Sequence, residues 1–236
     1  MLDFSSYKVL TFDCYGTLVD WESGLATALG ALLSQRGIDL DREGLLALHA
    51  EFEPAAQVGP FKPYREVLAT VVDRFAERFG FAASASERQS LAESIGDWPV
   101  FPDTQETLKQ LAESYPLAIL SNIDDDLFAL SAAKLGVSFE AVITAQQVGS
   151  YKPAPAHFHA AFEQLAAREE ILHVAQSLFH DVAVARELGL ATVWVNRRQA
   201  KVGGGATPPS SARPDIEVPD LASLAALIDE FDRSTR

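Results

Sequence analysis

The stretch Lys8-Val9-Leu10-Thr11-Phe12-Asp13-Cys14-Tyr15-Gly16-Thr17 sets the fold class. After Lys8, four β-branched or apolar residues run without strict polar alternation, then break at an acid and a glycine turn. A run apolar at nearly every position reads as a strand buried on both faces, the habit of parallel sheets. Similar short runs recur at 117–120, 139–144, 171–175 and 191–195, with a weaker one at 216–218. Helix-compatible stretches separate them at 104–114, 127–135, 155–167, 182–188 and 221–233. Strand and helix therefore alternate from about residue 100 to the end, which predicts an α/β fold built on a doubly wound parallel sheet.

Residues 18–100 break that alternation. They read as helix at 22–36, 42–55, 64–79 and 86–95, with breaks at Gly37, Gly59-Pro60 and Gly80. A helical block between the first strand and the rest of the sheet predicts an inserted all-helical lobe. The expected division is a core of residues 1–17 and 101–236 and a cap of residues 18–100. The segment 198–214, with Gly203-Gly204-Gly205 and Pro208-Pro209, reads as a surface loop. No GK[ST] follows its glycines, so it is not taken as a phosphate cradle.

Composition narrows the classes of function. The chain has 236 residues, 48% of them hydrophobic, and a formal net charge of −14. That apolar share supports a core and excludes a disordered chain. A field of that sign repels nucleic acid and anionic membrane surfaces, so neither is expected as a partner. No run approaches the roughly 18–20 apolar residues of a membrane span, and no secretory leader pattern stands at the N-terminus. The lone Cys14 forbids an intramolecular disulfide. Together these point to a soluble cytoplasmic protein, with enzyme and binding module both open.

In an open parallel sheet, ligands bind beyond the carboxyl ends of the strands. That edge collects Asp13, Ser121-Asn122, Lys152 and, after the strand at 171–175, Gln176-Ser177 and Asp181. Other polar clusters read as structural. Asp124-Asp125-Asp126 suits the start of the helix near Leu127 by capping and macrodipole. His157 and His159, two apart on a helix, point to different faces. Cys14 should face away from the cleft as a small core residue.

These residues also carry a resemblance. Phe12-Asp13-Cys14-Tyr15-Gly16-Thr17-Leu18 resembles the first motif of the haloacid dehalogenase superfamily. Ser121-Asn122, Lys152-Pro153 and Asp181 resemble its second, third and fourth motifs, in order, and residues 18–100 match its inserted cap. The superfamily contains phosphatases and dehalogenases, and two departures separate them. Its phosphatases carry a second Asp where this chain has Tyr15, as the L-2-haloacid dehalogenases do; that Asp protonates a leaving alkoxide, and a halide needs no proton. In the fourth motif Gln176 replaces a carboxylate suited to Mg²⁺. The resemblance thus implies a metal-independent hydrolase that displaces halide from a short 2-haloalkanoic acid, with no cofactor.

In that reading Asp13 is the nucleophile and forms an ester. Lys152 keeps it ionised and oriented, and Asp181 with Ser177 positions the hydrolytic water. Thr17, Ser121 and Asn122 supply hydrogen bonds to substrate, halide or intermediate, while Tyr15 and Trp21 wall off solvent. The dehalogenases use a cap arginine to grip halide and substrate. The corresponding segment, Leu48-His49-Ala50-Glu51-Phe52-Glu53, has none, which leaves Arg65, with Lys62, as the nearest cationic candidate. The fourth motif is also one residue longer than theirs. Two alternatives stay open: an Mg²⁺-dependent phosphatase acting on a small phosphate ester, and a relative that keeps the fold without catalysis. Family members often form homodimers.

Overall fold

The computed structural model describes residues 2–199 and 205–235. Six strands form one parallel sheet: β1 (Val9–Phe12), β2 (Leu117–Ser121), β3 (Ala141–Thr144), β4 (Ile171–Ala175), β5 (Ala191–Val195) and β6 (Ile216–Val218), in the spatial order β3-β2-β1-β4-β5-β6. The order reverses at β1, whose neighbours are β2 on one side and β4 on the other. That is the switch point at which such sheets bind ligands.

Four helices follow β1 before the chain returns to the sheet: α1 (Trp21–Ser34), α2 (Arg42–Ala56), α3 (Tyr64–Phe79) and α4 (Ala85–Glu93). The chain passes out at Val19 and back at Val100, which pair in a single antiparallel bridge. The expected helical cap is therefore present. The sheet is flanked by α5 (Thr104–Ala112), α6 (Asp125–Leu135), the short α7 (Ala145–Val148), α8 (Ala156–Gln164), α9 (Ala183–Glu187) and α10 (Leu221–Thr235).

Side-chain alternation along the strands explains the two layers. Leu10, Phe12, Leu117, Ile119, Leu172 and Val174 face one way and pack with residues of α5, α6 and α10. Val9, Ala118, Leu120, Ile143 and Ile171 face the other way, against Phe158 and Ala161 of α8 and Val184 and Ala185 of α9. Burial on both faces is why these strands are apolar throughout. Cys14 is fully buried in the first of these clusters, as expected.

Two details differ from the sequence reading, and one call lies partly outside the described residues. The third strand starts at Ala141 rather than at Phe139, which is only partly buried against the core. The helix expected from residue 182 is preceded by a π-helical turn, Leu178–Val182. Of the three glycines at 203–205, Gly203 and Gly204 lie outside the described residues. No described helix is long and apolar enough to cross a membrane.

Candidate active site

Asp13 follows β1 directly, and a turn at Gly16 brings Thr17 back beneath it. Gly16 has φ +101°, and a Cβ there would meet Gln176 Oε1 and Trp21 Nε1 at 3.0 Å, so the turn needs glycine. Thr17 Oγ1 donates to Asp13 Oδ2 (2.8 Å) and accepts from the Gln176 backbone N–H (2.9 Å). Arg197, after β5, holds the Thr17 carbonyl through Nη2 at 2.9 Å while its Nη1 pairs with Asp103.

Lys152 is the hub. Its buried ammonium donates to Asp13 Oδ1 (2.9 Å), Asp181 Oδ1 (2.6 Å) and the Leu120 carbonyl (2.8 Å), so all three hydrogens are used. Its backbone is clamped by Asn122, whose Oδ1 accepts from Lys152 N (2.7 Å) and whose Nδ2 donates to Lys152 O (3.0 Å). Burial opposes the ammonium's charge, but the two carboxylates outweigh it and hold Lys152 above the ordinary lysine range. Burial pushes Asp13 above the ordinary carboxylate value, against the pull of Lys152. For Asp181 burial also acts upward, and Lys152 with His173 overcomes it and holds the group far down.

Asp181 reaches Lys152 through an unusual backbone. In the π-helical turn the Val182 N–H returns to the Ser177 carbonyl (3.1 Å), five residues back, capped by Ser177 Oγ accepting from His180 N (2.8 Å). A wide turn takes up one extra residue, and here it leaves Asp181 on the ammonium. His173, on β4, completes the carboxylate's surroundings: Nε2 lies 3.1 Å from Asp181 Oδ1 and Nδ1 lies 2.9 Å from Thr11 Oγ1. A proton on Nε2 lets the imidazole donate to Asp181 while accepting from Thr11. Asp181 Oδ2 and Ser121 Oγ are buried with no protein hydrogen-bond partner.

These groups line a cavity of about 50 Å³. The core contributes Asp13, Tyr15, Ser121, Asn122, Lys152, Gln176, Ser177, His180 and Asp181, and the cap contributes Trp21, Glu53 and Tyr64. Thr207 closes it from the loop after β5. A wider groove along residues 57–61 and 149–154 adjoins it at Lys152 and His180. Among the described residues no group of three or more His, Cys, Asp or Glu side chains is placed to hold a metal ion.

The structure thus brings together Asp13, Tyr15, Trp21, Ser121, Asn122, Lys152, Ser177 and Asp181. Thr17 touches Asp13 from behind and does not line the cavity, and the Asn122 amide is spent on the Lys152 backbone rather than left free for a ligand. Arg65 is a correction: its Nη2 pairs with Asp126 Oδ2 at 2.6 Å on the surface, 41% exposed, outside the cavity. The acidic triple opens α6 as expected, with Asp125 and Asp126 in its first turn, and only the capping role differs. Asp124 accepts from the backbone N–H groups of Tyr64 (2.8 Å) and Arg65 (3.0 Å), so it caps α3 rather than its own helix.

Sequence reasoning missed Glu53, Tyr64 and His173. Glu53 follows His49 by four residues, so the two share one face of α2, and His173 is a polar residue inside an apolar strand. The His173 signal stands in the sequence, whereas the Glu53 spacing gives a shared face of α2 without showing that the face is buried.

Comparison with known proteins settles the family. The family model described as "Hydrolase: haloacid dehalogenase-like hydrolase" matches residues 7–189. This chain belongs to the haloacid dehalogenase-like hydrolases. Among curated members, (S)-2-haloacid dehalogenase 1 of Pseudomonas sp. (strain CBS-3) is 25% identical over 203 residues, 80% of this chain and 85% of that protein. The phosphoglycolate phosphatase of Yersinia pestis is 28% identical over 200 residues, 80% of this chain and 81% of that one. Among solved structures, the L-2-haloacid dehalogenase PA0810 superposes with a TM-score of 0.78 at 26% identity, covering 95% of this hydrolase and 99% of that chain. Dehalogenases and phosphatases both stand among the relatives of this haloacid dehalogenase-like hydrolase.

Proposed function

We propose that this hydrolase acts in the manner of the 2-haloacid dehalogenases, displacing halide from the α-carbon of a short 2-haloalkanoic acid or close derivative, without a metal. The observation that carries the reading is Tyr15. It occupies the position of the phosphatases' second acid, its hydroxyl is bound to Ser131 Oγ (3.0 Å), and burial pushes the phenol well above its ordinary range. A leaving alkoxide finds no acid there, whereas a halide departs as an anion.

The donor set argues in the same direction. Mg²⁺ calls for several hard oxygen ligands in near-octahedral order. Here Gln176 stands where a carboxylate would be needed, and Asp13 and Asp181 already share the Lys152 ammonium. The residues do not suit Mg²⁺.

In the proposed reaction an Asp13 carboxylate oxygen attacks the halogen-bearing carbon, and the carbon–halogen bond breaks with its electron pair leaving on the halide. Lys152 and Thr17 hold the carboxylate in place. Water then adds to the Asp13 acyl carbon, the acyl–oxygen bond breaks, and the product leaves as an alcohol after taking up a proton. Asp181 Oδ2, buried and without a protein partner, is placed to accept a hydrogen bond from that water, and Ser177 lines the same wall. The cavity volume suits a substrate of a few heavy atoms.

The test is halide release from chloroacetate, 2-chloropropionate and their amides with EDTA present. Release that survives EDTA and falls roughly a thousand-fold or more in Asp13→Asn supports the proposal. No halide from the whole panel, with Mg²⁺-stimulated phosphate release that Asp13→Asn abolishes, would replace it with the phosphatase reading.

A further inference from the structure

The cap side of the cavity is acidic, with Glu53 lining it beside Tyr64 and Trp21. Tyr64 Oη donates to Glu53 Oε1 at 2.6 Å, and His49 Nδ1 stands 4.0 Å from Glu53 Oε2. Trp21 packs edge-on against His49 with centroids 5.4 Å apart, and both nitrogens of this fully buried imidazole lack a protein hydrogen-bond partner. Burial holds His49 down to about 3, so it brings no positive charge near neutrality.

A count of charge around the cavity gives the same sign. Asp13, Asp181 and Glu53 line it against one cation, Lys152, whose three hydrogens are already given to Asp13, Asp181 and Leu120. A substrate carboxylate would meet carboxyl groups and no uncommitted ammonium or guanidinium hydrogen among the residues lining the cavity. An uncharged carboxamide meets a complete set instead. Its N–H would donate to Glu53, and its carbonyl would accept from the unpartnered hydroxyl of Ser121.

We propose that Glu53, backed by Tyr64, is the specificity-determining residue of the cavity, selecting short 2-halo substrates whose polar end is an uncharged carboxamide and rejecting the free carboxylate. The inference rests on the hydrolytic displacement proposed above. For 2-chloropropionamide, the carbon–chlorine bond breaks with its pair on chloride, Asp13 carries the ester, and water releases 2-hydroxypropionamide. The net consumption is one water, and the net release is one chloride and one proton.

Burial also pushes the Glu53 carboxyl up to about 7, so its charge rises across the neutral range. The ionisable groups around it are His49 on its own helix, Tyr64 on α3, Tyr151 before α8, and Asp13, Lys152, Asp181 and His180 across the cavity. Burial holds Tyr64 and Tyr151 above their range and His180 down to about 4. The charges of Asp13 and Asp181 are common to the wild type and Glu53→Gln, so comparing the substrate ratio between the two proteins isolates Glu53.

The experiment measures chloride release by the full chain from (S)-2-chloropropionamide and (S)-2-chloropropionate, at pH 6 to 8.5 with EDTA, for the wild type, Glu53→Gln and Glu53→Arg. The expected wild-type kcat/KM favours the amide by about tenfold or more at pH 8, and the acid gains ground toward pH 6, mainly through KM. Glu53→Gln should flatten that pH trend and narrow the ratio, and Glu53→Arg should turn preference to the acid. The near-isosteric Gln variant keeps the test valid if Arg does not fold. A wild-type preference for the acid, or a ratio unmoved by Glu53→Gln, overturns the inference and leaves the displacement reaction standing. No chloride from either substrate overturns the reaction itself, and the inference with it.

Discussion

At the scale of single residues, the site is organised by one buried ammonium serving two carboxylates and a carbonyl. Removing it leaves two buried carboxylates without their ammonium, held only by Thr17 and His173. Breaking a buried pair in that way costs about 3–5 kcal/mol, far more than the loss of an exposed ion pair. Lys152→Met is therefore expected to lower the urea midpoint by an amount equivalent to about 3 kcal/mol or more at unchanged slope. A loss below about 1 kcal/mol would show that the carboxylates find other partners or take up protons readily. Asp13, Lys152 and Asp181 were legible in the sequence because they stand at or shortly after the carboxyl ends of strands, where topology gives an address. Glu53 was not. On an amphipathic helix a glutamate normally faces water, and only the packing of α2 against Trp21, Tyr64 and the sheet edge buries it to 6% exposure.

Elements were easier to read than their interactions. The strands at 171–175, 191–195 and 216–218 and the helix at 64–79 fall where the sequence places them, since their apolar pattern and their Gly and Pro boundaries agree. What the pattern cannot show is that Asp124, beside the sheet, caps α3 across the cap–core boundary through two backbone N–H groups. Loss of a cap costs about 0.5–2 kcal/mol. Asp124→Ala should accordingly lower the thermal midpoint by several degrees, while Arg65→Ala, an exposed pair, changes it by little. Equal effects from the two variants would refute the assignment. Helix α1 offers a sharper contest between local preference and packing. Ala exceeds Gly in helix propensity by about 0.8–1.0 kcal/mol. A Cβ at Gly24, however, would lie 2.3 Å from the Trp98 ring, which is 2% exposed. Overpacking of that kind costs about 1–3 kcal/mol, so Gly24→Ala should destabilise the protein, as thermal unfolding would show, despite the better helix former.

Across the whole molecule, pH acts on these buried acids in separate windows. Asp181 is held below its ordinary value, chiefly by Lys152 and His173 working against burial. Its contribution is present above the unfolded carboxylate range and fades only as pH falls below it. Glu53 has the opposite sign. Its folded value, about 7, lies above the reference 4.5. Between those two values the folded chain keeps a proton that the unfolded chain has released, so stability falls as pH rises and the contribution is gone once pH passes about 7. At about 1.4 kcal/mol per unit the swing amounts to about 3 kcal/mol. Glu53→Gln removes the titration while preserving the hydrogen bond with Tyr64. The variant should therefore gain on the wild type between pH 5 and pH 8, by about 2–4 °C in the unfolding midpoint for each kcal/mol. The comparison needs no substrate, so it reads the burial of Glu53 independently of the reaction. Parallel pH profiles for the two proteins would mean that the carboxyl is hydrated and ionised at neutrality, and would remove the pH dependence expected of substrate choice.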